Sequence, residues 1–239
     1  MKRMELERLE ERTMLACAVA QHGSALLITA GGDEVNVGEV ESGDMGVICF
    51  EAGTVDVTFE DEFAGVRRVS LRGGPEDDYF GIYLTGETQL RIDVSTGDGF
   101  DSVDVNVVEV SESLQIRANL GNDDDWFSFL VHGDVFASLT LSVTAGNGDD
   151  YVEVTGYGQI VDGRSRLTVS LGAGDDEADL FLEPAIDARP TVVQLSGGSG
   201  SDALFIDQVL MDRGRVRASQ FEDLIVTPSC ALDDPDCIP

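Results

Sequence analysis

The sequence has almost no lysine: a single residue, Lys2, in 239. Only 15 basic residues stand against 46 acidic ones, a formal net charge of -31. Such a chain repels nucleic-acid phosphates and anionic lipid headgroups and attracts cations, so no nucleic acid is expected as a partner. Histidine is also scarce. His22 and His132 lie far apart, and none of the four cysteines, Cys17, Cys49, Cys230 and Cys237, has C-x-x-C spacing, so no zinc site of the usual kind is written in the chain. No apolar run reaches the length of a membrane span, which argues against membrane insertion. G-x-S-x-G, the phosphate-loop motif and H-E-x-x-H are missing, and with them the common signals for acyl transfer, nucleotide binding and zinc proteolysis. Cys230 and Cys237 flank a short acidic tail loop. A disulfide there would suit an exported protein, and two unrelated thiols fit the same spacing.

What is present is a long repeat. Thr144 to Val154 reads TAGNGDDYVEV, a glycine-aspartate cluster running into alternating residues, and the pattern returns along the chain. Aligned on the closing aspartate, the copies fall at Asp78, Asp101, Asp125, Asp150, Asp176 and Asp202, spaced 23, 24, 25, 26 and 26 residues apart. A period of that length signals a solenoid, a propeller or an array.

The flanks choose among these. Two residues after each aspartate stand Phe80, Val103, Phe127, Val152, Ala178 and Leu204, and four after stand Ile82, Val105, Phe129, Val154, Leu180 and Ile206. Nine before stand Val69, Ile92, Ile116, Leu141, Leu167 and Val193, and seven before stand Leu71, Val94, Ala118, Val143, Val169 and Leu195. Polar residues alternate with them, the mark of half-buried strands. One repeat has too few apolar residues for a core of its own, but stacked copies form continuous ladders. The expected fold is all-β: a right-handed parallel β-solenoid with one repeat of about 25 residues per turn. A β-sandwich is the rival, although it does not require identical corners at one phase.

The glycine-aspartate corner has constant length, whereas the other corner varies and absorbs the drift of the repeat. TAGGDEVNV (Thr29 to Val37) reads as an early turn with Asp33 at its corner. AGTVDVTF (Ala52 to Phe59) reads as a degenerate one with Gly53 in the aspartate's place, and QFEDLIV (Gln220 to Val226) as a final strand. The chain divides into an N-terminal helical or targeting segment (1–22), the solenoid (23–227) and an acidic, cysteine-containing tail (228–239).

The corner has its own chemistry. Four copies hold two glycines: GDGFD with Gly97 and Gly99, GNGDD with Gly146 and Gly148, GAGDD with Gly172 and Gly174, and GSGSD with Gly198 and Gly200. GPEDD and GNDDD replace the second glycine with Glu76 and Asp123. In a parallel stack, successive corners lie about 4.8 Å apart. Adjacent carboxylates then repel by roughly 3.5 kcal/mol at an effective dielectric of 20, and by about 0.9 kcal/mol in bulk water. A hard divalent cation offsets this, and calcium accepts six to eight carboxylate and carbonyl oxygens in flexible geometry. Turns with solvated acids and no ion are the simpler alternative.

The run G-x-G-x-D followed by an apolar residue resembles the RTX (haemolysin-type) calcium-binding repeat, G-G-x-G-x-D-x-U-x. The resemblance covers about Val69 to Ile206. It implies several calcium ions between successive turns, held by the carbonyls of the corner glycines and by Asp101, Asp150, Asp176 and Asp202, with Asp78 and Asp125 in the copies lacking the second glycine. The chain departs from the family in having one such corner per turn. The leading glycine survives at Gly73 and Gly197 and is replaced by Thr96, Leu120, Ala145 and Leu171.

At the N-terminus, LERLEERTMLA (Leu6 to Ala16) is similar to the LExRxLL-type segment that opens many large exported bacterial proteins. Together these resemblances imply a secreted or cell-surface bacterial protein. The expected role is structural or adhesive, without catalysis, with calcium and cell-surface polysaccharide or other extracellular proteins as partners. Two alternatives stand beside it. One is a carbohydrate-active β-helix enzyme, a polysaccharide lyase or hydrolase enlisting Arg67, Arg68 and Arg72 or Arg213, Arg215 and Arg217. The other is an ion-free structural repeat. Tyr79, Trp126 and Tyr151, one position past the aspartate, are expected to form an outward aromatic stripe.

Overall fold

A computed structural model describes residues 17–32, 34–40, 44–50, 57–161, 164–185 and 190–227. The chain opens with β1 (Cys17–His22), β2 (Ala25–Ala30), β3 (Glu34–Glu39), β4 (Met45–Phe50) and β5 (Val57–Phe63). Two strands per turn then follow: β6 (Arg68–Arg72) and β7 (Tyr79–Leu84), β8 (Leu90–Gly97) and β9 (Ser102–Val107), β10 (Leu114–Asn122) and β11 (Trp126–Val131). The next turns are β12 (Leu139–Asn147) with β13 (Tyr151–Ile160), β14 (Arg166–Ala173) with β15 (Glu177–Pro184), and β16 (Val192–Ser199) with β17 (Ala203–Asp207). A short helix, α1 (Gln208–Arg213), leads to β18 (Arg215–Ser219) and β19 (Asp223–Thr227).

These strands form two sheets. One runs β1-β2-β6-β8-β10-β12-β14-β16-β18, and the other runs β19-β17-β15-β13-β11-β9-β7-β3-β4-β5. From β2 and β3 onward all pairings between turns are parallel, which makes the molecule a parallel β-solenoid. Register follows the repeat. Phe80 pairs with Val103, Phe127 with Val103 and Val152, and Ala178 with Val152 and Leu204. In the facing sheet, Val69, Ile92, Ile116, Leu141, Leu167 and Val193 form the matching file. Both files are buried, which fixes the register, because a one-residue slip would expose every apolar side chain at once.

The stacking explains why the chain takes this form. Apolar columns from both sheets meet in a single core along the axis, and polar residues alternate outward. The irregular corner absorbs the lengthening repeat, as at the register shift between Thr155 and Gln159 of β13. Asp207 caps α1 by accepting the Val209 amide at 2.6 Å, and α1 buries Leu210 against the last turns.

The N-terminal end differs from the sequence-based expectation. The early turn through β2 and β3 is present and pairs in parallel with β6 and β7, although Asp33 lies outside the described residues. The stretch expected as a degenerate parallel turn instead enters an antiparallel meander, β3-β4-β5, and Gly53 lies outside the described residues. β1 (Cys17–His22) pairs antiparallel with β2, so the end of the segment assigned to 1–22 is a strand of the cap. Reversing strand direction stops the parallel ladder and closes the core. Cys17 and Cys49 form a disulfide across the two sheets, with Cα atoms 6.2 Å apart. Cys230 and Cys237 lie outside the described residues.

Two stability outcomes follow from this packing. Phe127→Ala, at a fully buried position, lowers stability by about 3–5 kcal/mol, read as a lower urea midpoint. Cys17→Ser opens the N-terminal cap and costs about 2–4 kcal/mol in the same assay, and reductant has no further effect on that variant's cap.

Candidate functional site

The corner is built from glycines that no other residue replaces without movement. Gly146 has φ +131°, and a Cβ there would collide with the carbonyl oxygen of Gly121 in the preceding turn. Gly148 has φ +128°, and its Cβ would collide with the main chain of Asp123. Gly97, Gly172 and Gly198 repeat the first situation, and Gly99, Gly174 and Gly200 the second. Where GNDDD lacks the second glycine, Asp123 itself takes φ +74°. Main chains of successive corners therefore touch, and the corners stack at one phase.

The six aspartates that close these corners form one file, as the repeat predicts. Asp78, Asp101, Asp125, Asp150, Asp176 and Asp202 are each no more than 3% exposed, so the carboxyls face into the solenoid and do not line its outer edge. Each reaches one turn back. Asp101 Oδ1 accepts the Asp78 amide at 2.7 Å, Asp125 Oδ1 the Asp101 amide at 2.9 Å, and Asp150 Oδ1 the Asp125 amide at 2.9 Å. Asp176 and Asp202 continue the series at 2.8 and 3.2 Å. At the N-terminal end Asp78 accepts the amides of Gly32 and Gly74, both at 2.8 Å. At the other end Glu222 takes the aspartate's part and accepts the Asp202 amide at 2.8 Å.

The second oxygen is the unusual feature. Oδ2 of Asp101, Asp125, Asp150, Asp176 and Asp202 is buried and has no hydrogen-bond partner. Such atoms cost free energy unless something meets them. Burial pushes the carboxyls of Asp125 and Asp150 up to about 7, and those of Asp101 and Asp176 up to about 6. Charge on neighbouring aspartates adds to the rise, and the amide hydrogen bonds oppose it.

At the two ends of the file, the residue five before the aspartate passes close to its Oδ2. A Cβ on Gly73 would collide with Asp78 Oδ2, and one on Gly197 would come within 2.6 Å of Asp202 Oδ2. Thr96, Leu120, Ala145 and Leu171 hold the same place in the intervening turns and are buried. The apolar members bring no oxygen to the column.

A second ladder runs on the outer side of the corner, and the sequence reading did not single it out. Asp77 Oδ1 accepts the Phe100 amide at 2.9 Å, and Asp124 accepts from Asp149 at 2.8 Å. Asp149 accepts from Asp175 at 2.8 Å, and Asp175 from Ser201 at 2.9 Å. These carboxylates reach one turn forward, opposite to the buried file. Asn147 and Asn122 extend an amide ladder beside them: Asn147 donates to Asn122, and Asn122 to Asp98, each at 2.6 Å. The signal in the sequence was the acid immediately before the closing aspartate in four of the six copies, together with the asparagines between or beside the glycines.

The other expected groups are accounted for. Arg68 and Arg91 both pair with Asp93 at 2.9 Å, and Arg213 lies 3.7 Å from Glu183. Trp126 and Tyr151 stack with ring centres 4.3 Å apart, while Tyr79 and Tyr151 donate to Asp104 and Asp179 at 2.9 and 2.7 Å. Among the described residues no three His, Cys, Asp or Glu side chains converge on one point, and no helix is long and apolar enough to cross a membrane. No protein-family model, curated protein or solved structure matches the chain.

A pH dependence follows. The four shifted carboxyls lie above their ordinary value of 3.8, so between about pH 4 and 7 the folded chain holds more protons than the unfolded one. The stability gained is full below about pH 4 and is lost as pH rises through 6 to 7. With chelator present, the melting temperature therefore falls over this window. Asp125→Asn combined with Asp150→Asn makes the fall shallower. An equally steep fall in that variant would exclude these two carboxyls as its source.

Proposed function

We propose that the chain is a calcium-binding β-solenoid module with a structural or adhesive role in an exported or cell-surface protein. The observation that supports it is the file of buried, unpartnered Oδ2 atoms. Neighbouring turns stack about 4.8 Å apart, so Oδ2 atoms of successive turns would lie close enough to share a hard divalent cation. Asp101, Asp125, Asp150, Asp176 and Asp202 would supply these oxygens. Corner carbonyls or water would complete the shell, since Leu120, Ala145 and Leu171 offer none. The ion's chemistry is charge compensation. It neutralises carboxylates that the fold holds out of water, and so stiffens the stack. The Cys17–Cys49 disulfide supports an oxidising location, and the charge of -31 suits a surface that concentrates divalent cations.

A second reading is favoured by the raised carboxyls: protons neutralise the same file, and the repeat is ion-free. Asp150→Asn separates the two. It keeps an acceptor for the Asp125 amide and replaces the charged Oδ2 with an uncharged amide. At pH 8, calcium raises the melting temperature of the parent protein by about 5–10 °C and chelator reverses it. Asp150→Asn melts higher than the parent in chelator and gains less from calcium. A parent protein that binds no calcium by isothermal titration, and melts identically with and without chelator, leaves only the proton reading.

A further inference from the structure

The two ends of the solenoid are finished differently. At the N-terminal end the antiparallel strands and the disulfide seal the core: Cys17 and Met45 are 3% exposed, and Val47 and Cys49 are fully buried. At the C-terminal end the core columns run out into the open. Leu204 and Ile206 are fully buried, but their partners one turn on, Leu224 and Val226, are 50% and 37% exposed. In the facing sheet Val193 and Leu195 are buried, whereas Ala218, the partner of Leu195, is exposed. β18 and β19 are the last strands of their sheets, so each leaves one row of backbone N–H and C=O groups unpaired among the described residues. Among the described residues, β18 and β19 carry no lysine, proline or bulge to blunt this edge.

We infer that this end docks against the same end of a second copy, making a closed two-fold dimer. The surface is apolar at its centre and has free strand edges around it. The N-terminal cap is a poor match for it, since its exposed strand β5 shows Glu60, Asp61 and Glu62. Another open C-terminal end supplies the same apolar columns, and self-complementary contacts of this kind close as dimers.

Charge selects the orientation. Each turn runs out along one sheet and back along the other, so β18 and β19 point in opposite directions. A two-fold axis normal to the sheets would set β18 against its own copy, and Arg215 and Arg217 against Arg217 and Arg215. A two-fold axis parallel to the strands sets β18 antiparallel to β19 of the second copy. The register that keeps inward residues together pairs Val216 with Val226 and Ala218 with Leu224. Outside, Arg217 then faces Ile225 and lies diagonal to Asp223, an opposite-charge neighbour. The core columns pass through the junction without a break, and both rows of free backbone groups are paired. The dimer does not depend on whether a cation occupies the aspartate file.

Sedimentation velocity on the full chain tests this. The expected species is a dimer of about 51 kDa, twice the 25.6 kDa chain, at concentrations around 10 µM. Leu224→Lys with Val226→Lys weakens it by about 30-fold or more while leaving the circular dichroism spectrum unchanged. The orientation is read by crosslinking in a Cys230→Ser, Cys237→Ser background. Arg217→Cys with Ile225→Cys gives a disulfide-linked dimer on oxidation, and Arg217→Cys alone does not. A chain that stays monomeric throughout this range, one that grows into open-ended polymers, or a double-lysine variant that dimerises as well as the parent would overturn the proposal. Efficient crosslinking through Arg217→Cys alone would overturn the orientation.

Discussion

The structure depends on one contact repeated along its length: a buried carboxylate accepting the backbone amide of the equivalent aspartate one turn earlier. It fixes the phase of each corner against the next and so fixes the register of both sheets. The outer carboxylates of Asp77, Asp124, Asp149 and Asp175 make the same kind of bond in the opposite direction along the axis. Each corner between these ladders is therefore tied to both neighbours. Glycine is the condition for this closeness, because the main chains of adjacent corners leave no room for a Cβ.

The same contact creates the chemical tension of the molecule. In Asp101, Asp125, Asp150, Asp176 and Asp202 one oxygen is satisfied and the other is stranded in the core. A charged file of this kind needs compensation, and the candidate compensators, a hard cation or a proton, act on the same atoms. The two sides of the corner therefore differ in kind. The outer acids are solvated and hydrogen-bonded, and their charge belongs to the surface. The inner acids are shielded from water, and their protonation state is coupled to folding.

Much of this was legible in the chain. The columns through Phe127 and Ile116 were visible because period-two alternation and a fixed 23–26-residue spacing agree at every copy. The inward direction of the aspartates was also encoded: Asp150 stands two residues before Val152 and four before Val154, which places all three on one face of an extended chain. The N-terminal cap was less accessible. Met45–Phe50 alternates as the parallel strands do, and alternation does not encode which direction a strand pairs. Cys17 and Cys49 are 32 residues apart and meet only because the cap reverses direction.

The axial direction of the inter-turn bonds has a mechanical consequence. Cys17 and Thr227 lie at opposite ends of the coil, so tension between them loads one turn's bonds at a time and peels the stack like a zip. Each released turn of about 25 residues extends to roughly 80–90 Å from an initial rise of about 4.8 Å. Such a rod yields in even steps and dissipates work over a long travel instead of snapping at a single load. The disulfide between Cys17 and Cys49 halts the peeling at the last coil and keeps a seed from which the stack rewinds.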